Sequence, residues 1–360
     1  MFPAWGTVFC VGGDIVGRLR INYARIDYLR RHLRNFLPYL TPKKVANVLL
    51  NESELRRRVP RPRSLPPYLK LEPTPLCQLR CPGCRHNEQQ YKKQFRGNMF
   101  LTLSNTRKVI EPLRSTLLGV SLSHLGEPFM NPELLDIVEY LHDARIAVSF
   151  PTNFSFHFSD EKIARIALSG VDNLMISLDG ASEETYEVYR QGGNFRQVLD
   201  NVHRLAAAKK KLGRRRPLLT WKFVVFDHNR HEVPKVRGGY RELGFDAYEL
   251  VSDNASRRST AERERVARRT VQREKGCYWL WNTMVVRWDG RVNPCCSTQI
   301  VELGNAFSEN PAEIWRNTPY TTLRAGFRGR PFGHGMHPRC RRCLGLTESS
   351  PAALVMAAAE

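Results

Sequence analysis

Three closely spaced cysteines are the residues of this sequence with the clearest capacity for chemistry: Cys77, Cys81 and Cys84. They follow the apolar residues 67–74, whose composition predicts an extended strand. Three thiolates on one short loop can hold a cubane iron–sulfur cluster at three irons and leave the fourth iron without a protein ligand. The alternative is half of a zinc site, with His86 as the local candidate for a fourth ligand. An iron with a vacant position can bind and activate a small molecule.

The spacing C-x3-C-x2-C directly after a predicted first strand resembles the signature of the radical SAM enzymes. This resemblance implies a 4Fe–4S cluster on Cys77, Cys81 and Cys84, with its open iron chelated by S-adenosylmethionine (SAM). It also implies that an electron from a flavodoxin- or ferredoxin-type reductant cleaves SAM, and that the resulting 5′-deoxyadenosyl radical takes a hydrogen atom from a C–H bond. The cofactor carries this chemistry, and the protein supplies placement and exclusion of water. Gly83 departs from the family pattern, in which a bulky residue before the third cysteine packs near the adenine.

A second stretch resembles a SAM-binding motif of the same family. Gly126-Glu127-Pro128 follows the second predicted strand and is similar to the family's GGE-type motif, whose backbone carbonyls receive the SAM ammonium group. Leu125 replaces the first glycine of that motif. Glycine lets a backbone approach a ligand closely and proline fixes a turn, although both are also common in ordinary loops. The resemblance implies that this tripeptide binds SAM.

Polar side chains at two further predicted strand ends match family positions that contact SAM: Thr152 and Ser177. Such hydroxyls can bind a ribose or a carboxylate, but polar residues are common wherever a loop begins. Arg190 lies in a stretch that many family members share, and it is a candidate for contact with the SAM carboxylate. The alternative for a helix arginine is a surface ion pair. The resemblance implies that Thr152, Ser177 and Arg190 belong to the SAM site.

Four cysteines near the end of the sequence predict a second metal site: Cys277, Cys295, Cys340 and Cys343. The dipeptide Asp289-Gly290 predicts a hairpin turn before Cys295. Four thiolates can fully ligate either zinc or a cubane cluster. The region resembles the SPASM/twitch extension of radical SAM enzymes, which implies one auxiliary 4Fe–4S cluster. In that resemblance Cys295 is the ligand and Cys296 is left spare.

A fully ligated second cluster cannot readily bind a substrate, so its expected task is to move electrons. We therefore expect a dehydrogenation, in which hydrogen leaves a carbinol carbon, a base takes the hydroxyl proton and the auxiliary cluster accepts the remaining electron. The competing reaction is epimerisation, in which a thiol returns a hydrogen atom to the opposite face. Cys296 and Cys10 are the candidate donors, although an unassigned cysteine is most often buried filler.

The sequence does not identify the substrate. A carbohydrate-like small molecule, such as a sugar, an aminocyclitol or a nucleotide sugar, is the first expectation. Lipid-modifying and peptide-modifying enzymes are alternatives, and no peptide-recognition domain of winged-helix type is predicted in residues 1–70. A non-enzymatic alternative is a scaffold with structural iron–sulfur or zinc sites, which would not cleave SAM.

Alternating strand and helix patterns from residue 67 predict a parallel α/β fold. The predicted strands are residues 68–73, 119–123, 147–151, 173–177, 218–225 and 247–251. Asn131 with Pro132 and Ser159 predict helix starts, and Gly170 predicts a helix end. Six such units, as in the radical SAM family, make a partial (β/α)6 TIM-like barrel, whose ligands lie at the carboxyl ends of the strands.

The residues before the barrel predict two helices. Apolar residues recur at helical spacing among arginines between residues 26 and 40, and Thr41 with Pro42 predicts the start of a second helix. We expect both to pack on the outside of the barrel, and a basic helix lying on a membrane is the alternative. The expected domains are a helical N-terminal extension with a Pro-rich linker (1–66), the barrel (67–255), a charged linker (256–275), a small C-terminal β-hairpin and helix auxiliary-cluster domain (276–346) and a tail (347–360).

The net charge of +21 and the pI near 9.9 indicate an anionic partner, such as nucleic acid, an acidic membrane surface or a phosphorylated substrate. No recognised nucleic-acid-binding module accompanies the basic runs, so nucleic acid is not the expected partner. No apolar run approaches membrane-spanning length, and residues 1–13 lack a secretory signal. Cysteines grouped like metal ligands predict a reducing, cytoplasmic setting, with contact to the inner face of an anionic membrane left open.

Overall fold

The structure is a computed structural model that describes residues 36–87, 92–93, 95, 97–252, 277–295, 301–328 and 335–343. Several expectations lie outside the described residues: most of the predicted helix between residues 26 and 40, the linker 256–275, the tail 347–360, Cys10 and Cys296. The described chain builds an eight-stranded sheet with helices packed on it.

Six parallel strands follow one another in chain order across this sheet. They are β1 (Tyr68–Leu71), β2 (Gly119–Leu122), β3 (Ala147–Thr152), β4 (Asn173–Ser177), β5 (Leu218–Val225) and β6 (Ala247–Ser252). Each strand pairs in parallel with the next. The predicted parallel α/β architecture is confirmed, and β4 and β5 have the predicted bounds. The other four strands differ from prediction by one or two residues at their carboxyl ends.

Helices alternate with these strands. The α-helices are α1 (Pro42–Arg56), α2 (Leu103–Ile110), α3 (Leu134–Asp143), α4 (Asp160–Leu168), α5 (Glu183–Tyr189), α6 (Phe195–Lys211), α7 (Val233–Gly239), α8 (Tyr278–Asn282), α9 (Pro311–Ile314), α10 (Thr318–Ala325) and α11 (Pro338–Cys343). Single 3-10 turns occur at Leu37–Tyr39, Arg85–Asn87, Pro128–Met130 and Arg230–Glu232. Within the described ranges, none of the helices is both long and apolar enough to cross a membrane.

Helix capping follows the sequence with one exception. The Thr41 side chain accepts the Lys44 N–H and Pro42 opens α1, while the Ser159 side chain accepts the Lys162 N–H at α4. The predicted start at Asn131 and Pro132 is wrong, because α3 begins at Leu134. The Asn131 amide instead donates to the backbone carbonyls of Pro73 and Leu101, both at 2.8 Å. This side chain fastens the β1 exit to the loop before α2.

The two faces of the sheet differ in polarity. On the face covered by helices, alternate strand residues such as Leu71, Leu122 and Trp221 lie in the apolar core. Successive side chains of a strand point to opposite faces, so the intervening residues lie on the other face. Those residues include Lys70, Ser121, Ser149, Ser177, Lys222 and Glu249. The inner face of the curved sheet therefore carries several polar and charged side chains beside apolar ones such as Met175 and Val251.

The C-terminal hairpin extends the barrel sheet, whereas the sequence predicted it as part of a separate small domain. Strand β7 (Thr283–Val286) pairs in parallel with β1, from Tyr68 opposite Thr283 to Leu71 opposite Val286. Strand β8 (Val292–Asn293) pairs antiparallel with β7. Gly290 has a φ of 85° in the turn between them, as the Asp289-Gly290 pattern predicts. The sheet order is β6-β5-β4-β3-β2-β1-β7-β8.

Helix α1 packs against the barrel through polar side chains. The Asn47 amide donates to the Leu65 carbonyl at 3.0 Å and its oxygen accepts the Leu65 N–H at 2.9 Å. The Asn51 amide donates to the Trp281 carbonyl at 2.6 Å, and the Glu54 carboxylate accepts the Ser64 N–H at 3.0 Å. These contacts confirm that the helix lies on the outside of the barrel. They also show that its inward surface is largely polar.

Candidate functional site

The three-cysteine loop leaves the carboxyl end of β1 and turns back on itself. The Cys84 N–H donates to the Cys81 carbonyl at 3.2 Å, and Gly83 between them has a φ of 73°, which glycine adopts without strain. Cys81 is buried, while Cys77 and Cys84 are half-buried. The turn brings Cys81 and Cys84 together, and Cys77 lies close enough to both for their charges to affect the pKa of its thiol.

Burial makes free thiolates unfavourable on this loop. Burial, and after it the nearby Glu127 carboxylate, raise the pKa of the Cys77 thiol to about 12. Burial also raises the pKa of Cys81. A bound metal reverses this preference, because its positive charge stabilises the thiolate forms that ligate it. The donor set of three thiols therefore fits an iron–sulfur cluster.

The loop after β3 holds the cysteine loop in place. The Asn153 amide nitrogen lies 3.8 Å from the Cys77 sulfur and 3.2 Å from the Gln78 side-chain oxygen. Gln78 in turn donates to the Asn153 side-chain oxygen and to the Ser155 carbonyl. The sequence analysis assigned no role to Asn153, because one polar residue after a strand carries no distinctive signal. Its contact with Cys77 places Asn153 beside the predicted cluster.

Gly126-Glu127-Pro128 lies directly against the backbone that precedes Cys77. A β-carbon added at Gly126 would stand 2.0 Å from the Thr74 carbonyl oxygen, so only glycine fits. The Glu127 carboxylate accepts hydrogen bonds from the Thr152 hydroxyl and the Asn153 N–H, both at 2.7 Å. Burial raises the pKa of Glu127 to about 7. The tripeptide therefore joins the ends of β1, β2 and β3 at the edge where the cysteines lie.

Thr152 and Arg190, two predicted SAM contacts, already make contacts within the protein. The Thr152 hydroxyl donates to Glu127 and accepts the Phe154 N–H at 2.9 Å. The Arg190 guanidinium donates from Nε to the fully buried Asp179 carboxylate at 2.7 Å. Arg190 also lies close enough to Cys81 to oppose the rise in that thiol's pKa. Arg190 therefore stands between a buried carboxylate and the cysteine loop, and the SAM contacts of both residues stay predictions.

An aromatic group lies beside the cysteine loop. The Tyr189 and Phe226 rings are 4.3 Å apart between centroids, and the Phe226 ring stacks on His228 at 5.3 Å. Burial raises the pKa of Tyr189 to about 12, with a smaller contribution from the thiols of Cys81 and Cys84. Sequence reasoning did not single out these rings, because they are separated along the chain. These rings lie near the cysteine loop, where Gly83 replaces the bulky residue of the family pattern.

The inner face of the sheet continues from the cysteine loop. Lys222 on β5 is a cross-strand neighbour of Ser177 on β4 and of Glu249 on β6. Burial lowers the pKa of Lys222, while Glu249 opposes that shift and Lys70 reinforces it. Two amino groups and a carboxylate therefore share the interior. The Ser149 hydroxyl, 5% exposed, makes no hydrogen bond to any group of the described chain.

Three cysteines of the second set, Cys277, Cys295 and Cys340, lie near one another. Cys277 precedes α8, Cys295 follows β8, and Cys340 and Cys343 lie three residues apart on α11. Burial raises the pKa of Cys277 above its usual range, and the thiols of Cys295 and Cys340 add to the rise. Burial and Cys295 raise the pKa of Cys340 to about 11. These donors fit a cluster or zinc, since a bound metal again favours the thiolates.

Arg324 fixes the helices around this second site. It is fully buried, and it donates to the Leu280 and Trp315 carbonyls, both at 2.7 Å. Its guanidinium carbon lies 4.3 Å from the Trp315 ring centroid and 4.4 Å from that of Tyr320. Because Leu280 belongs to the helix that follows Cys277, these contacts set the direction in which that cysteine enters the site.

Comparison with known families agrees with both cysteine groups. Residues 71–217 match the radical SAM superfamily, and residues 277–344 match SPASM, an iron–sulfur cluster-binding domain. The chain is 23% identical over 319 residues to the tungsten-containing aldehyde ferredoxin oxidoreductase cofactor-modifying protein of Pyrococcus furiosus, covering 77% of this chain and 86% of that protein. It is 31% identical over 144 residues to the mycofactocin maturase MftC of Mycobacterium ulcerans, covering 40% of this chain and 37% of the maturase.

The fold also has a match among solved structures. Streptococcus suis SuiB, bound to the precursor peptide SuiA, superposes with a TM-score of 0.60 at 13% sequence identity. The match covers 93% of this chain and 77% of SuiB. At this identity the likeness concerns the fold, which is the partial barrel expected from the alternating strands and helices.

Proposed function

This chain belongs to the radical SAM superfamily and carries a SPASM iron–sulfur cluster-binding domain, and from this premise we propose that it dehydrogenates a hydroxylated, carbohydrate-like small molecule. The family brings a 4Fe–4S cluster that binds SAM, together with an auxiliary iron–sulfur cluster. When bound, SAM and its cluster supply the radical that removes a hydrogen atom from the substrate. The rest of the proposal concerns what the chain's own residues do.

We assign Cys77, Cys81 and Cys84 to the cluster that binds SAM. The auxiliary 4Fe–4S cluster is assigned the four C-terminal cysteines, namely Cys277, Cys295, Cys340 and Cys343. In this proposal it accepts the electron left after hydrogen abstraction, and a flavodoxin- or ferredoxin-type protein reduces the first cluster. The domain limits at residues 66, 255, 275 and 346 belong to the same proposal.

SAM binding is assigned to residues at the carboxyl ends of the strands. Gly126-Glu127-Pro128 offers backbone carbonyls beside the cysteine loop, and Ser177 and Thr152 end neighbouring strands. Asp179 engages Nε and Nη2 of Arg190, so the Nη1 N–H groups of this guanidinium are directed elsewhere. We propose that they donate to the SAM carboxylate.

The observation that favours a polar substrate is the composition of the sheet's inner face. A buried hydroxyl such as that of Ser149 normally has a hydrogen-bond partner, and a hydroxylated ligand would provide one. Lys70 and Lys222 add amino groups to the same face, and Glu249 adds a carboxylate. We propose that the lysines orient substrate oxygens and that Glu249 accepts the carbinol proton. An apolar substrate would leave the buried Ser149 hydroxyl without a hydrogen-bond partner.

Epimerisation is the competing reaction, with Cys296 or Cys10 as hydrogen-atom donor. Both residues lie outside the described part of the chain. All seven cysteines within it are already assigned as cluster ligands. Oxidation needs only these assigned groups, which is why we favour it.

The test uses anaerobically reconstituted enzyme, dithionite, SAM and a panel of sugars, sugar phosphates, nucleotide sugars, aminocyclitols and short peptides. The dehydrogenase proposal requires formation of 5′-deoxyadenosine, faster with one carbohydrate-like compound, and a ketone product in matching amount. Glu249→Gln should slow oxidation while leaving the slow SAM cleavage without substrate unchanged. The same reaction in deuterated water distinguishes the mechanisms, because deuterium retained on a carbon of inverted configuration would establish epimerisation.

Two further outcomes would replace the proposal. Stimulation of SAM cleavage by a peptide alone would make the protein a peptide-modifying enzyme, and stimulation by a lipid alone a lipid-modifying one. The solved relative SuiB binds a precursor peptide, so peptides belong in the panel. If reduced protein that contains iron never cleaves SAM, the clusters are structural and the enzyme proposal fails.

A further inference from the structure

Helix α1 has the reverse of the usual polarity for a surface helix. Its buried residues are Lys44, Asn47, Asn51 and Glu54. On the opposite side, Val45 and Leu49 are 38% and 64% exposed. At 3.6 residues per turn these two side chains stand one above the other, almost opposite Asn47 and Asn51. The polar side chains are used to attach the helix to the barrel, and the apolar ones face away from the protein.

Apolar exposure is concentrated in this part of the chain. The described residues include eight exposed large apolar side chains, and five of them lie between residues 37 and 50. The five are Leu37, Leu40, Val45, Leu49 and Leu50, hereafter the outer α1 surface. Single exposed leucines are ordinary, whereas a group of this kind marks an interaction surface.

The charge around the outer α1 surface identifies its partner. Lys43, Arg57 and Arg61 are exposed on the helix and just after it. Within the described residues 36–61 the chain has six lysines and arginines against two glutamates, of which Glu52 pairs with Arg56 and Glu54 is buried. Protein interfaces are usually depleted of lysine at their centre, whereas a surface with leucines among cations matches the boundary between lipid chains and anionic headgroups. Charge complementarity therefore favours an anionic bilayer over another protein.

We propose that the outer α1 surface binds the headgroup region of a membrane rich in anionic phospholipid. The exposed leucines and valine would enter the interface, while the lysine and arginine side chains extend to lipid phosphates. The polar hydrogen bonds of Asn47, Asn51 and Glu54 transmit this attachment to the barrel, because they join α1 to the segment before β1 and to α8. The proposal does not depend on the reaction that the barrel catalyses.

The experiment is co-sedimentation of the full-length, reconstituted protein with phospholipid vesicles. One set of vesicles contains phosphatidylcholine with phosphatidylglycerol, and the other contains phosphatidylcholine alone. The test variants are Leu49→Glu and Leu37→Glu, both on the outer α1 surface. The matched control is Leu168→Glu, which adds the same charge at the end of α4, where the leucine is 49% exposed. Point substitutions are preferable to truncation, which would also remove the α1 contacts with the barrel.

We expect wild type and Leu168→Glu to bind the anionic vesicles equally and to bind neutral vesicles weakly. Each test variant should bind anionic vesicles roughly tenfold more weakly, since a carboxylate replaces an inserted side chain. The proposal is overturned if wild type does not bind anionic vesicles, or if Leu168→Glu weakens binding as much as Leu49→Glu. It is also overturned if light scattering shows a dimer that Leu49→Glu dissociates, because a second copy would then cover the surface. Equal melting temperatures of all four proteins establish that folding does not cause the differences.

Discussion

Gly126 is the residue whose side chain is most strongly limited by its surroundings near the cysteine loop. Its α-carbon lies against the backbone of Thr74 and Leu76, and the Glu127 N–H donates to the Leu76 carbonyl at 2.7 Å. The Glu127 carboxylate then holds Thr152 and Asn153, and Asn153 touches the Cys77 sulfur. A continuous set of contacts therefore leads from Gly126 to Cys77, which we propose as a cluster ligand.

Replacing Gly126 by alanine should displace the cysteine loop. The new β-carbon would overlap backbone oxygens, which are unable to rotate away as a flexible side chain could. We expect a loss of about 1–3 kcal/mol in unfolding free energy and a lower iron content after reconstitution. Denaturant unfolding and iron analysis measure these effects. Gly238→Ala, on α7 with open space around the new carbon, should leave both unchanged, and equal behaviour of the two variants would contradict the prediction.

Replacing Glu127 by glutamine tests the carboxylate contacts without changing side-chain size. One oxygen becomes an NH2 group, which cannot accept from the Thr152 hydroxyl or the Asn153 N–H. Leaving one of these buried donors without an acceptor should cost about 1–3 kcal/mol of unfolding free energy in the apoprotein. Chemical denaturation of apoprotein measures this cost, and an unchanged midpoint would show that the contacts are dispensable.

Sequence reasoning at this scale located the cysteines, whose spacing is distinctive, but overlooked the residues that support them. Asn153 and Tyr189 have no local signal, because an asparagine after a strand and a tyrosine on a helix occur in many proteins. Their importance arises from neighbours distant along the chain, such as Cys77 for Asn153. Three-dimensional contacts of this kind become visible only once the strand ends have been brought together.

Helix α1 buries an ionisable amine against the barrel. Lys44 is 3% exposed, and its Nζ donates to the Arg145 carbonyl at 2.6 Å. Burial, followed by repulsion from Arg145, lowers the pKa of Lys44 from 10.5 to about 8. The folded protein consequently binds this proton less tightly than the unfolded chain does, so protonation of Lys44 weakens the packing of the helix.

The stability of wild type relative to a Lys44→Met variant should therefore depend on pH. Between pH about 8 and 10.5 the unfolded state carries more protons at this residue, so wild-type stability rises with pH across that interval. Below the interval the amine is protonated in both states, and the difference should become constant. Urea unfolding of both proteins at several pH values measures the difference. A difference that is the same at every pH would contradict the assigned cause.

The strands were largely predictable, whereas one pairing was not. Alternating apolar residues and flanking loop residues placed β4 and β5 at their observed bounds. The addition of β7 beside β1 could not be inferred, because both strands are short and apolar and more than 200 residues separate them. The predicted helix start at Asn131 was wrong because an asparagine before a proline resembles a helix cap. The Asn131 amide instead donates hydrogen bonds to the carbonyls of Pro73 after β1 and Leu101 before α2.

At the scale of the whole molecule, the chain contains two separate groups of cysteines on one sheet. The first follows β1, and the second surrounds the β7–β8 hairpin. Burial raises the pKa of Cys77 and Cys81 in the first group and of Cys277 and Cys340 in the second. Each should therefore bind its metal independently of the other.

Single cysteine substitutions should distinguish the roles of the two cysteine groups. Wild type is expected to hold about eight irons per chain, and Cys81→Ser or Cys340→Ser should each reduce this to about four. Cys81→Ser should abolish SAM cleavage, while Cys340→Ser should retain cleavage but lose substrate oxidation. Iron analysis and 5′-deoxyadenosine measurement check both expectations. Zinc in the second group would contradict its assignment as an electron acceptor.

The parallel pairing of β1 with β7 has a consequence for electron flow. The rate of electron tunnelling falls steeply with the distance between donor and acceptor. A hinge between two redox centres would therefore make the rate of electron transfer vary. Here β1, which leads into the first cysteine loop, and β7, which follows Cys277 and α8, are paired in parallel over their full length. In the proposed enzyme, this pairing would keep the loop that carries Cys77 and the helix that follows Cys277 at a constant separation while substrates exchange.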